Sequence, residues 1–88
     1  MPQTHTHTSH PRISARLKRA NGHLSAVIAM IDESRPCTEI AQQLHAVEKA
    51  ITNAKRALIH DHIDHCLDPG NDGQIADTQS FKDITRYL

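Results

Sequence analysis

Residues 36–67, PCTEIAQQLHAVEKAITNAKRALIHDHIDHCL, carry no Gly or Pro after Pro36. Within them Ile40, Leu44, Val47, Ile51, Ala54 and Leu58 step by three and four, the spacing of one apolar face of an α-helix. A helix of about 30 residues is near 45 Å long, more than a single small globule needs. Cys37 stands at its start, and His62 and Cys66 stand near its end. His62 and Cys66 are four apart, so they lie one above the other and can grip one metal ion. Cys37 is roughly 37 Å from His62 along such a helix, too far to share that ion or to close a disulfide within one chain. With Leu58 at zero on a helical wheel, Cys37, His62 and Cys66 fall at about +60°, +40° and +80°, on one edge of the apolar stripe. Two such helices packed antiparallel through that stripe bring the Cys37 end of one to the His62/Cys66 end of the other. Two-fold symmetry then makes two equivalent sites.

Upstream, Ser34-Arg35-Pro36 is punctuation, with Ser34 expected to cap the second helix and Pro36 tolerated in its first turn. Before it, Ile13, Leu17, Ala20, Leu24, Val27 and Ile31 step by three and four, predicting a first helix over about 12–33 despite the helix-weakening pair Asn21-Gly22. Arg12, Arg16, Lys18 and Arg19 crowd its first two turns. Residues 1–11 have no apolar period and three histidines, His5, His7 and His10, and are expected to form a mobile arm. Downstream, Asp68-Pro69-Gly70-Asn71-Asp72-Gly73 ends the long helix. A short third helix is expected over about 75–87, carrying Ile75, Phe81 and Ile84. The reading is all-α, with one helical domain over 12–88.

Composition narrows the class. In 88 residues there is one Phe, one Tyr and no Trp, so the core must come from Leu, Ile, Val and Ala. A chain this small and poor in bulk is expected to gain stability by oligomerising or by binding metal. The net charge is zero, but through Arg56 there are eight Lys/Arg against four Asp/Glu, and from Ala57 on two against six. The basic half suits a polyanion. Eight histidines supply imidazole, the commonest transition-metal ligand. Nothing reads as a signal peptide or a membrane span, so a soluble, cytoplasmic protein is expected. In a reducing cytosol its two cysteines fit thiolate ligands or buried thiols better than a disulfide.

The segments RLKRANGHL (16–24), RPC (35–37) and QQLHAVEKAITNAKRALIHDHIDHC (42–66), with their spacing, resemble the CsoR/RcnR family of bacterial metal- and formaldehyde-sensing transcriptional repressors. The likeness covers nearly the whole chain. It implies a three-helix protomer, an antiparallel helical dimer and a disc-shaped tetramer built from two dimers. It also implies a metal-free form that binds operator DNA and a ligand-bound form that releases it, with metal efflux or resistance genes under control.

Residue by residue, the resemblance puts Cys37, His62 and Cys66 on the three principal ligand positions. His5 falls where nickel and cobalt sensors of the family draw a fourth ligand from the arm, and His7 or His10 could substitute for it; His65 points toward the apolar stripe and reads first as a partly buried structural histidine, with a further metal donor as the alternative. Copper(I) sensors of the family use Cys-His-Cys, usually with Tyr before the first cysteine and an acid on the last helix. Here Pro36 precedes Cys37, and Lys82 falls near the place of that acid. Two thiolates and two imidazoles suit nickel(II) in a square plane and cobalt(II) or zinc(II) in a tetrahedron, while copper(I) is satisfied by three soft ligands. The expected DNA-facing set is Arg12, Arg16, Lys18 and Arg19 with Lys49, Lys55 and Arg56; Arg16 matches a basic family position, and Asn53 stands where a second would be. For any one of these the bland alternative is a solvated charge.

Two rival readings follow from the same residues. Formaldehyde sensors of the family bridge an N-terminal Pro amine and the first cysteine by a methylene, and Pro2 and Cys37 are both present. A metal-storage or metal-delivery protein would take the metal but show no salt-dependent affinity for duplex DNA. No nucleophile, base and orienting group form a set, and four protein ligands leave no open position for substrate, so an enzyme is not expected.

Overall fold

The computed structural model describes residues 9–67 and 78–88. The protein is all-α: α1 (His10–Asp32), α2 (Cys37–Leu67) and α3 (Thr78–Thr85) follow one another, with no strand among the described residues. Ile13, Ala20 and Val27, seven apart on α1, are buried, as are Val47 and Ala54, seven apart on α2. These positions zip the two helices into an antiparallel hairpin. His23 Nε2 donates to Gln43 Oε1 at 2.7 Å and ties the helices at its surface.

The turn between them differs from the expectation for Ser34. Ser34 ends α1 instead of starting α2: its φ is 58°, its N–H donates to Ile31 O at 3.0 Å, and Arg35 N–H donates to Met30 O at 3.0 Å. That pair of bonds is a Schellman motif with serine in the left-handed position usually given to glycine. Pro36 lies just outside α2, and its carbonyl accepts the N–H of Ile40 at 3.1 Å. Cys37 is therefore the first residue of the long helix.

Two expected boundaries move. His10 and Pro11 belong to α1 and not to the arm, since the first turn has no partner for the N–H that proline lacks. The third helix is Thr78–Thr85, shorter than 75–87, of which 75–77 lie outside the described residues. Beyond it Arg86, Tyr87 and Leu88 each donate to the carbonyl three residues back, tightening the chain end.

The hairpin is long and thin. Its extents are 55 × 26 × 17 Å and its radius of gyration is 17.5 Å, against about 12 Å for a compact domain of this length. Ile13, Ala20, Val27, Val47, Ala54 and Ile59 are its buried hydrophobic residues, while Leu17, Ile28, Ile31, Leu44, Ile51 and Leu58 remain exposed. Among the described residues no helix is long and apolar enough to cross a membrane.

Candidate metal centre and nucleic-acid face

The apolar stripe of α2 is divided lengthwise. α1 covers the edge of Val47 and Ala54, whereas Leu44, Ile51 and Leu58 on the other edge are 46%, 45% and 39% exposed. On the wheel the covered edge lies at about −20° to −40° and the open edge at about 0° to +40°. Cys37 and His62 share the open edge. Cys37 is free and exposed. The helix between them is unbroken, so one chain holds them roughly 37 Å apart. Among the described residues no three of His, Cys, Asp and Glu gather closely enough to hold an ion.

His62 is half-buried, and its Nε2 lies 3.0 Å from Ser80 Oγ of α3. That bond uses one ring nitrogen and leaves Nδ1 for an ion, the arrangement by which a hydrogen-bonded imidazole is oriented as a ligand. Lys82, the expected counterpart of the family's acid, is exposed on α3, and the group that meets His62 is Ser80. Sequence reading missed Ser80 because the contact spans 18 residues across a chain reversal. Its one signal is its place four before Ile84, on the half-buried face of α3 with Phe81.

The start of α1 sits at the far end of α2. His10 Nε2 is 4.0 Å from Asp61 Oδ2, next in sequence to His62. His5 and His7, Pro2 and the side chain of Cys66 lie outside the described residues. His65 is half-buried with its Nε2 enclosed.

The basic residues fall on separate surfaces. Arg16 and Arg19 join His23, Ala50 and Asn53 around a concavity of about 390 Å³ between α1 and α2. Arg12 and Arg16 join Ser9, Ile13 and Ala57 around a second, of about 190 Å³. Lys18 instead borders the apolar side, beside Leu17 and Leu58. On α2, Lys49 and Arg56 are exposed at about 160–180° on the wheel, while Lys55, at about +60°, shares the edge of Cys37. Arg12, Arg16 and Arg19 thus gather in one groove, and Lys18 and Lys55 stand apart from it.

Comparison with known proteins gives the chain's family. The family described as "Metal-sensitive transcriptional repressor" matches residues 9–88. The copper-sensing transcriptional repressor CsoR of Mycobacterium ulcerans is 37% identical over 52 residues, 59% of this chain and 44% of that protein. CsoR of Bacillus subtilis is 36% identical over 56 residues, 64% of this chain and 55% of that protein. The copper-sensing repressor RicR of Mycobacterium tuberculosis is 29% identical over 72 residues, 74% of this chain and 75% of that protein. The chain spans about half the length of the CsoR relatives it matches. No solved structure matches it.

Proposed function

The chain belongs to the family of metal-sensitive transcriptional repressors, and on that premise we propose that it binds operator DNA when metal-free and releases it on taking up nickel(II) or cobalt(II). The single observation that carries this reading is the open edge of α2, where exposed Leu44, Ile51 and Leu58 line up with Cys37 and His62. An antiparallel second copy covers those side chains and brings its Cys37 to the His62 and Cys66 of the first chain. Two such dimers make the tetramer.

The donor set is His5, Cys37, His62 and Cys66, with Cys37 from the second copy and the arm from the chain that supplies His62. Its chemistry fits a borderline ion: two thiolates and two imidazoles match nickel(II) or cobalt(II), and zinc(II) binds the same set. When bound, the ion supplies a bond network that fixes the angle between chains. That angle governs how the Arg12, Arg16 and Arg19 grooves of the assembly meet DNA phosphates. A coupling of about 1–3 kcal/mol between the two sites changes DNA affinity some 5- to 150-fold.

A second reading is copper(I), favoured by the names of the relatives, which are copper-sensing repressors. Cys37, His62 and Cys66 alone satisfy it. Titration of the metal-free protein with nickel(II), cobalt(II), zinc(II) and copper(I), following thiolate charge-transfer absorption and operator affinity together, decides between them. The ion that both binds and releases DNA is the signal. If no ion releases DNA, the sensor reading fails. Binding of metal with no salt-dependent affinity for duplex DNA points to storage or delivery.

A further inference from the structure

Ile51 stands midway along α2 between Cys37 and the pair His62 and Cys66, so a two-fold that joins those ends in an antiparallel pair passes close to Ile51. Counting outward from it gives the register of the other contacts. Leu44 is seven residues before Ile51 and Leu58 seven after, so Leu44 of one copy meets Leu58 of the other at the same height. Glu48 is three before and Lys55 four after. Across the seam their heights differ by one residue, about 1.5 Å of helix rise.

Their directions agree as well. With Leu58 at zero on the wheel, Lys55 falls at about +60° and Glu48 at about +80°, beside the exposed apolar stripe and on the edge that carries Cys37. A two-fold perpendicular to two antiparallel helices sets like edges side by side, so this edge of one copy faces the same edge of the other. α1 covers the opposite edge, at Val47 and Ala54. Lys55 is exposed and lies away from the groove of Arg16 and Arg19. The Glu48 side chain is 77% exposed, with His45 Nδ1 at 3.8 Å as its neighbour within the chain. One acid and one base at matching distances from the centre make the edge self-complementary.

We propose that Glu48 of each copy pairs with Lys55 of the other, giving two symmetric ion pairs that flank Ile51, select a second copy of this chain and fix its register. The inference rests on the antiparallel second copy proposed above and names what makes its fit specific. A slip of one helical turn, about 5.4 Å, separates both pairs and moves Cys37 away from the far end of the other α2. Ion pairs at the rim of an apolar seam add little raw affinity and act instead on the choice of partner and alignment. Here that alignment is the one in which the metal donors meet.

Exchanging the charges tests the proposal, because both side chains are exposed in the hairpin. Glu48→Lys makes both seam positions basic, and Lys55→Glu makes both acidic. Each variant alone is expected to associate about tenfold or more weakly than the wild type at low salt, from two repulsive contacts per dimer. Equal amounts of the two variants, differently tagged and mixed, regain two attractive pairs. Native mass spectrometry is expected to find mixed dimers well above the random share, with the excess shrinking as salt rises. Both substitutions in one chain are expected to restore wild-type association. Single variants that associate like the wild type and mix at random overturn the ion pairs and leave an oligomer held by its apolar face alone. Weak single variants that mixing fails to rescue overturn them too. A wild-type chain that stays monomeric in sedimentation overturns the second copy itself, and the ion pairs with it.

Discussion

His62 Nε2 and Ser80 Oγ, 3.0 Å apart, join the long helix to the last one at the residue the metal reading needs most. α3 is eight residues long, and the bond both orients the imidazole and ties the last helix to the long one. Ser80→Ala frees the ring to rotate. Nickel affinity is expected to fall about 10- to 100-fold, the usual effect of losing a hydrogen bond behind a ligand. Competition titration against a chelator of known affinity measures it, with far-ultraviolet dichroism confirming unchanged helices; unaltered affinity would remove His62 Nδ1 from the ligand set.

Ligands drawn from two chains make a distinctive pattern in mixed oligomers. Cys37→Ala alone and His62→Ala alone are each expected to lose tight nickel binding. A dimer with one chain of each kind retains one site whose cysteine and histidine are both native, and a second site lacking both. Mass spectrometry of differently tagged mixtures should find one ion per mixed dimer. No recovery in the mixture would place all the ligands on one chain.

Leu44 and Ile51 have little to lose in an isolated hairpin, since each is nearly half exposed there. Placing a charge at either in a covered helix seam leaves it unpaired and buried. Leu44→Glu or Ile51→Glu is expected to dissociate the oligomer while helices persist. Sedimentation velocity reads the outcome, and a native-size particle from both variants contradicts the proposed seam.

Ser34 at φ 58° sits where residues with a side chain are strained by about 1 kcal/mol or more. Ser34→Gly relieves that strain and is expected to raise stability by roughly 0.5–1 kcal/mol. Gly22 is the opposite case, a glycine inside a helix where an added Cβ would meet nothing within 4 Å. Gly22→Ala is expected to contribute a similar ~0.5–1 kcal/mol. Denaturant unfolding checks both. A loss of stability in Gly22→Ala at concentrations that favour assembly would reveal another chain passing close to that face.

Arg16 lines both basic concavities, and Lys18 lines neither. Arg16→Ala is expected to weaken operator binding at every salt concentration and to lower the salt slope by about one, the signature of a lost phosphate contact. Lys18→Ala is expected to change DNA affinity little. Equal effects from the two would move the DNA face away from the α1–α2 groove.

The three helices and the long unbroken α2 were legible in the residues themselves. Apolar positions at three-four spacing, a run from Cys37 to Leu67 free of Gly and Pro, and the Asp68–Gly73 breaker are local signals, and helix formation obeys local rules. The separation of Cys37 from His62, which demands a second chain for a shared ion, follows from helix rise alone. Tertiary structure decided which half of the α2 stripe α1 covers, that Ser34 closes the first helix, and that Ser80 and not Lys82 meets His62. Each of these depends on where the chain goes after a turn or on how two surfaces meet. A periodic pattern records that a face is apolar, but the direction from which it is covered is set by packing between elements far apart in sequence.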